Sequence, residues 1–275
     1  GVGRTLHALA LAKAITKNSN SRILLVDGDL EAPGLTWLLF TWLPEPPVSY
    51  VDFIGLVHSD INPSRSESIK LVADRVKGIL IDGIYVLPAF RSIGQFDSIE
   101  IKPDHLIRGS KDPFILTNIL IKLGKELNVD AVIVDLRAGL SELSAGLLFD
   151  PRVYRILVTT LSSQSLEGTC QLLKLLSKWS NKVDGEHLPF LIISQVPKNY
   201  QETELLDPFL LRLDEASSPL WKKEDRELEK DDSLPKSISY FDPNLLVLPE
   251  SWDDVNNFID GSPIKETIAK LLEWL

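Results

Sequence analysis

Three short segments carry residues whose types and spacing could do phosphate and metal chemistry. The first is Gly1-Val2-Gly3-Arg4-Thr5, followed at once by the helix-forming run Leu6–Lys13. Glycines let backbone N–H groups turn inward around phosphate oxygens, and a helix start behind them adds free N–H groups and partial positive charge. Arg4 and Thr5 stand where such a loop needs a cation for the phosphates and a hydroxyl for Mg2+. Taken alone, the segment reads more often as a glycine-containing turn before a helix. The second segment, Asp27-Gly28-Asp29-Leu30-Glu31-Ala32-Pro33-Gly34, follows the apolar run Ile23–Val26. Crowding two carboxylates there is costly unless a metal or ordered water uses them. Its alternative is a polar turn with Asp29 capping the next helix. The third, Asp135-Leu136-Arg137-Ala138-Gly139, follows the apolar run Ala131–Val134. An Asp ending such a strand can orient Mg2+ or its water, and Gly139 lets the backbone approach a terminal phosphate. The alternative here is a surface Asp–Arg pair. The three together, in this order, favour a single Mg2+-nucleotide site.

Such a site must be positioned by strands that end side by side. Nearly continuous apolar runs predict strands over Ile23–Asp27, Ile84–Leu87, Ala131–Asp135, Arg155–Thr159, Phe190–Ser194 and Leu245–Leu248. Helical periodicity predicts Thr5–Thr16, Gly34–Leu43, Pro113–Glu126, Ser141–Phe149, Ser165–Trp179 and Pro263–Trp274. This alternation predicts an α/β fold with a doubly wound, mostly parallel sheet and helices on both faces. One P-loop NTPase domain is expected over residues 1–275, truncated ahead of Gly1, since the chain lacks any Met. Residues 200–236, with the run Lys222–Asp232, read as a mobile charged insertion or a solvated helix.

Composition sets further bounds. With 275 residues, 44% hydrophobic and 25% charged, the chain can bury a sizeable core. Its formal charge of -10 disfavours DNA binding through the surface as a whole, which would need clustered Lys and Arg. No apolar run has the length of a membrane span. Cys170 is the only cysteine, so no internal disulfide forms, in keeping with a reducing cytoplasm. It reads as a small buried hydrophobe on a helix. His7, His58, His105 and His187 are scattered without metal-ligand spacing and read as surface or core histidines. Trp37, Phe40 and Trp42 read as core, with a partner-facing patch as the alternative.

On these residues the chain resembles the deviant Walker A, SIMIBI-class ATPases of the MinD/ParA type, whose phosphate loop reads K-G-G-x-G-K-[ST]. Gly1–Thr5 is similar to its last five positions, with Arg4 for Lys, as in a bacterial K-G-G-V-G-R-[ST] branch. Val26–Gly34 resembles the first switch and Val134–Glu142 the second. Val158–Gly168 resembles the next strand and helix, and Phe190–Pro197 and Leu246–Pro249 the strands whose loops hold the base. The resemblance spans most of the chain and is loose between Pro44 and Lys111. It implies a slow ATPase with bound ATP and Mg2+, forming an ATP-dependent homodimer that recruits a protein partner. By carry-over, Thr5, Asp27 and Asp135 would hold Mg2+ or its waters. Asp29 would activate the attacking water and Arg4 would contact phosphate oxygens. Gly1, Val2, Gly3, Leu6 and Gly139 would line the phosphates, and Gln195 and Pro249 the base. The family's signature lysine would stand two residues before Gly1, and Ser194 and Gln195 replace a common Asn. The guanine-reading N-K-x-D pattern is missing, which leans toward adenine.

Two other readings compete. A degenerate P-loop scaffold or sensor, with weak or no hydrolysis, is the alternative raised by Arg4. A phosphotransferase is a third, but a C-terminal Tyr cluster is lacking, with only Tyr240 in that region. The terminal stripe Ile264, Ile268, Leu271, Leu272 and Leu275, with Lys265 and Lys270 as its cations, reads as a core-packing helix rather than a membrane tail.

Overall fold

A computed structural model describes residues 3–60, 64–98, 112–137, 139, 142–180, 187–200, 204–221, 233–246 and 251–275. The single domain expected over 1–275 is laid out as two compact units. An amino-terminal unit comprises Arg4–Leu147 with Leu248–Phe258, and a carboxy-terminal unit comprises Leu148–Val247 with Gly1–Gly3 and Ile259–Leu275.

The amino-terminal unit is built on a four-stranded ladder. Its strands are β1 (Ile23–Asp27), β2 (Leu80–Ile81), β3 (Ile84–Leu87) and β4 (Ala131–Asp135), in the order β2-β3-β1-β4. β1 runs parallel to both β3 and β4, with Asp27 opposite Asp135. The chain passes from β1 to β3 on one side and then to β4 on the other. The β1/β4 carboxyl ends therefore form the reversal of strand order where open α/β sheets collect ligands. Ile23, Leu24, Leu25 and Val26 are all fully buried, although successive strand side chains point to opposite faces. Both faces of β1 are thus covered, as its unbroken apolar sequence requires. Each such residue contributes about 1.5–3 kcal/mol.

The unit's helices are α1 (Arg4–Ser19), α2 (Gly34–Trp42), α3 (Tyr50–Ser59), α4 (Ser66–Val76), α5 (Ile93–Asp97), α6 (Ile115–Leu127) and α7 (Glu142–Leu148). α1 packs on β1, β3 and β4, and its residues Leu9, Ala10, Leu11 and Ala12 are buried. α3 starts at a capping box. Ser49 accepts from the Asp52 amide at 3.2 Å, and the Asp52 carboxylate accepts from the Ser49 amide at 2.9 Å. β2 and β3 form an antiparallel hairpin around Asp82-Gly83, both at positive φ (51° and 81°), the backbone a two-residue primed turn demands.

The carboxy-terminal unit holds a parallel three-stranded ladder of β5 (Ile156–Thr159), β6 (Phe190–Val196) and β7 (Lys236–Tyr240), in that order. The expected parallel α/β layout is therefore present as two ladders. Helices α8 (Ser163–Ser180) and α9 (Asp207–Trp221) pack against each other and share a core of Leu157, Leu173, Leu191, Ile193, Leu213 and Ala216. α10 (Trp252–Asp260) and α11 (Ile264–Trp274) complete the chain.

Several expectations need correction. Leu245–Leu248 is not a strand as far as it is described, because Pro243–Leu246 forms a 3-10 turn and residues 247–248 lie outside the described residues. Within 200–236, Leu206, Leu213, Ala216 and Leu220 of the described part are buried, while Leu205 and Leu211 are exposed. The charged run Lys222–Asp232 lies outside the described residues. Trp37 and Trp42 are not core, being 41% and 46% exposed on α2. Trp37 meets the edges of Phe40 and Phe96 at 5.7 and 6.0 Å between ring centres. The core reading of the terminal helix holds for Ile264, Ile268 and Leu271, while Leu275 is exposed. Cys170 is buried on α8, as expected, with its thiol pushed up by burial. No helix among the described residues is long and apolar enough to cross a membrane.

Candidate functional site

The first turn of α1 and the ends of β1 and β4 bring Arg4, Thr5, Asp27, Asp29 and Asp135 together within the amino-terminal unit. Asp27 and Asp135 end adjacent parallel strands in register and are almost wholly buried. The Thr5 hydroxyl donates to Asp135 Oδ2 at 2.6 Å. Arg4 Nη1 donates to the Leu136 carbonyl at 2.5 Å, and Arg4 Nη2 lies 3.6 Å from Asp29 Oδ2. Asp29 Oδ1 in turn accepts from the Ala32 and Glu31 amides at 3.0 and 3.3 Å, which pins the turn between β1 and α2. Asp29 thus organises the turn but does not cap α2, whose N-cap is Pro33 with no side-chain cap, and its other oxygen faces Arg4.

Two glycines explain the closeness. The Gly28 amide donates to the Asp135 carbonyl at 2.8 Å, and a Cβ at Gly28 would stand 3.0 Å from that oxygen. A Cβ at Gly34 would stand 3.1 Å from Thr5 Oγ1. Gly34→Ala should therefore do two opposed things. The helix gains about 1 kcal/mol from propensity, while the Thr5 hydroxyl is pushed off Asp135. The expected result in calorimetric titration is a Mg2+-ATP affinity lower by about tenfold with little loss of thermal stability.

The electrostatics fit a site built for a cation. Burial, reinforced by neighbouring Asp135, pushes the Asp27 carboxyl up from 3.8 to about 7, against hydrogen bonds from Thr36 and Asp29 that pull it down. Burial also raises Asp135, helped by nearby Asp29 and opposed by the Thr5 hydroxyl and Arg4. Two adjacent buried carboxylates resist ionising together unless positive charge joins them. The donor set is oxygen only, two carboxylates and a hydroxyl, as Mg2+ prefers. Among the described residues no group of three or more His, Cys, Asp and Glu side chains could hold a metal.

Not every expected residue converges. Leu6 is half-buried in the first turn of α1. Gly3 has φ 86° and Gly139 φ 92°, a backbone that favours glycine at both loops, and a Cβ at Gly139 would meet nothing within 4 Å. Gln195 belongs to the carboxy-terminal unit, exposed at an irregularity of β6 with φ 59°. Gly1, Val2 and Pro249 lie outside the described residues. Arg137 pairs with exposed Glu31 rather than with Asp135, so the surface-pair alternative for the third segment fails on its partner. His7 is buried on α1, His187 stacks on Tyr154, and His105 lies outside the described residues. Thr36, wholly buried beside Asp27, was not singled out by the sequence. Its only signal is a hydroxyl nine residues beyond an acidic strand end.

The sequence matches no protein-family model and no curated protein. Solved structures are similar in fold. Cobyrinic acid a,c-diamide synthase from Mycobacterium smegmatis, with a bound ATP analogue and magnesium, is 20% identical over 77% of this chain and 76% of that one, with TM-score 0.50. The same enzyme with ADP and magnesium is 22% identical over the same shares, with TM-score 0.51. The ATP complex of a McdA variant from Cyanothece is 12% identical over 98% of this chain and 92% of that one, with TM-score 0.56. At these identities the likeness shows a shared architecture, the α/β P-loop NTPase fold.

Proposed function

We propose that this chain binds Mg2+-ATP between α1, β1 and β4 and works as a slow MinD/ParA-like ATPase, a nucleotide-controlled dimerisation switch that recruits a protein partner in the cytoplasm. The observation that carries this reading is the convergence of Thr5, Asp27 and Asp135 on one strand-order reversal, with Arg4 and Asp29 beside them. The nucleotides and magnesium named for the similar structures support it.

In this reading Thr5, Asp27 and Asp135 hold Mg2+ and its waters, and the Gly3-to-Leu6 backbone and Gly139 line the phosphates with Gly1 and Val2. Bound Mg2+ would supply positive charge against the phosphate oxygens. Arg4 leaves the Leu136 carbonyl and offers its fork to phosphate oxygens, a bidentate contact that Lys could not make. Asp29, released from Arg4 by the same movement, is free to take a proton from the attacking water. Gln195 and Pro249 are assigned to the adenine base. Arg4 bridges the loop after β4 and the turn after β1, so its departure reaches both segments at once.

One observation favours a second reading, a scaffold without turnover. Arg4 is already engaged by Leu136 and Asp29, and it stands where Lys is usual. Light scattering with full-length protein separates the two. The switch reading expects the mass to double with Mg2+-ATP and to stay monomeric with Mg2+-ADP. A mass indifferent to nucleotide would sink the switch and leave the scaffold.

A further inference from the structure

Thr36 makes more directed contacts to the metal-site carboxylates than any residue the sequence points to. Fully buried in the first turn of α2, it approaches Asp27 twice, its amide donating to Oδ2 at 2.8 Å and its hydroxyl to the same oxygen at 2.7 Å. The amide is one of the helix-start N–H groups that lack an intrahelical partner. The hydroxyl is itself held from behind, because the Ala89 amide donates to Oγ1 at 2.7 Å. A hydroxyl has one proton. With an N–H already filling its acceptor side, that proton is committed to Asp27. Oδ1 of Asp27, by contrast, receives the longer 3.3 Å bond from the Asp29 amide. The loop that supplies Ala89 is fixed in turn, since the Pro88 and Ala89 carbonyls accept from the Tyr50 and Val51 amides of α3 at 2.7 and 3.3 Å.

We propose that Thr36 is a positioning residue for Mg2+: it clamps Oδ2 of Asp27 and so presents Oδ1 to the cation, with Ala89 fixing the direction of its hydroxyl. This rests on the Mg2+-ATP reading above. Outer partners of metal ligands set ligand orientation, and their loss typically costs about 10–100-fold in metal affinity.

The test is calorimetric binding of ATP to full-length protein, with Mg2+ and with EDTA, for the parent, Thr36→Val and Thr36→Ser. Valine keeps the shape and removes the hydroxyl, and serine keeps the hydroxyl. The expected result is an ATP affinity in EDTA within about twofold of the parent for both variants. The gain on adding Mg2+ should shrink by about tenfold in Thr36→Val and persist in Thr36→Ser. Equal Mg2+ gains in parent and Thr36→Val overturn the proposal. So does an equal loss in both variants, because serine keeps the hydroxyl to which the proposal assigns the effect. If Thr36→Val loses its far-UV circular dichroism signature, Thr36→Cys, a weaker donor of similar size, takes its place with the same two readings. A parent that binds no Mg2+-ATP at all overturns the site itself, a result distinct from both.

Discussion

Replacing Asp27 with asparagine is expected to make the ligand-free protein more stable at pH 8 while removing its Mg2+-dependent nucleotide binding. The carboxyl group is held at about 7, above its ordinary 3.8, chiefly by burial. Between those values the folded state keeps a proton that the unfolded chain releases. Stability contributed by Asp27 therefore falls as pH rises from about 4 to about 7 and is flat above that. The gap corresponds to about 4 kcal/mol. Asparagine keeps a carbonyl for the two Thr36 donors and removes the buried charge, but its amide nitrogen faces the Asp29 amide, now 3.3 Å from Oδ1. A net gain of about 2–3 kcal/mol at pH 8, shrinking toward zero at pH 5, is the expected outcome of urea denaturation. The same variant should lose about 100-fold or more of the affinity that Mg2+ adds to ATP, because an amide cannot replace the anionic oxygen. A variant less stable than the parent at pH 8 would show that the charge at Asp27 is not a strain on the fold.

Gly28→Val is expected to cost about 3 kcal/mol or more of folding stability. The added Cβ would stand 3.0 Å from the Asp135 carbonyl oxygen, 3.2 Å from Val134 Cγ1 and 3.3 Å from Leu136 Cδ2. The first of these is backbone in a buried strand end and cannot rotate away. Relief requires β1 and β4 to part, which also breaks the 2.8 Å bond from the Gly28 amide to Asp135. Gly168→Ala is the control, since a Cβ there meets nothing within 4 Å on α8. It should be neutral or stabilising by up to about 1 kcal/mol. Comparable losses in the two variants, read by thermal melting, would refute the tight β1–β4 approach.

The strands that form the site were legible from their unbroken apolar runs, Ile23–Val26 covered on both faces and Ala131–Val134 only partly buried at the edge of its ladder. The acidic ends stood out against those runs. What escaped reading had other causes. β7 is written Lys-Ser-Ile-Ser-Tyr, and its serines Ser237 and Ser239 are buried, so small polar residues on the covered face disguised the edge strand of this ladder. β2 is two residues long, and its only trace was the Asp82-Gly83 turn. Ile69, Val72, Ala73 and Val76 have the spacing of one helix face and are all buried, a signal present in the sequence but not used. α9 was obscured by the charged run that follows it and by Pro219 within it. α2 is apolar almost all round, so nothing in its sequence tells which side carries Trp37 and Trp42 outward or that Thr36 turns inward to Asp27. Thr36 is nine residues from its partner, and only the fold closes that distance.

The central claim is that Asp135 and its neighbours form one Mg2+-nucleotide site. Calorimetric titration of Mg2+-ATP, with Mg2+-GTP in parallel, into full-length protein and its Asp135→Ala variant tests it most directly. The account predicts binding of Mg2+-ATP in preference to Mg2+-GTP, lost in Asp135→Ala and weakened in the parent by EDTA. Equal Mg2+-ATP affinity in the parent and Asp135→Ala, or no heat with either nucleotide in the parent, would contradict it.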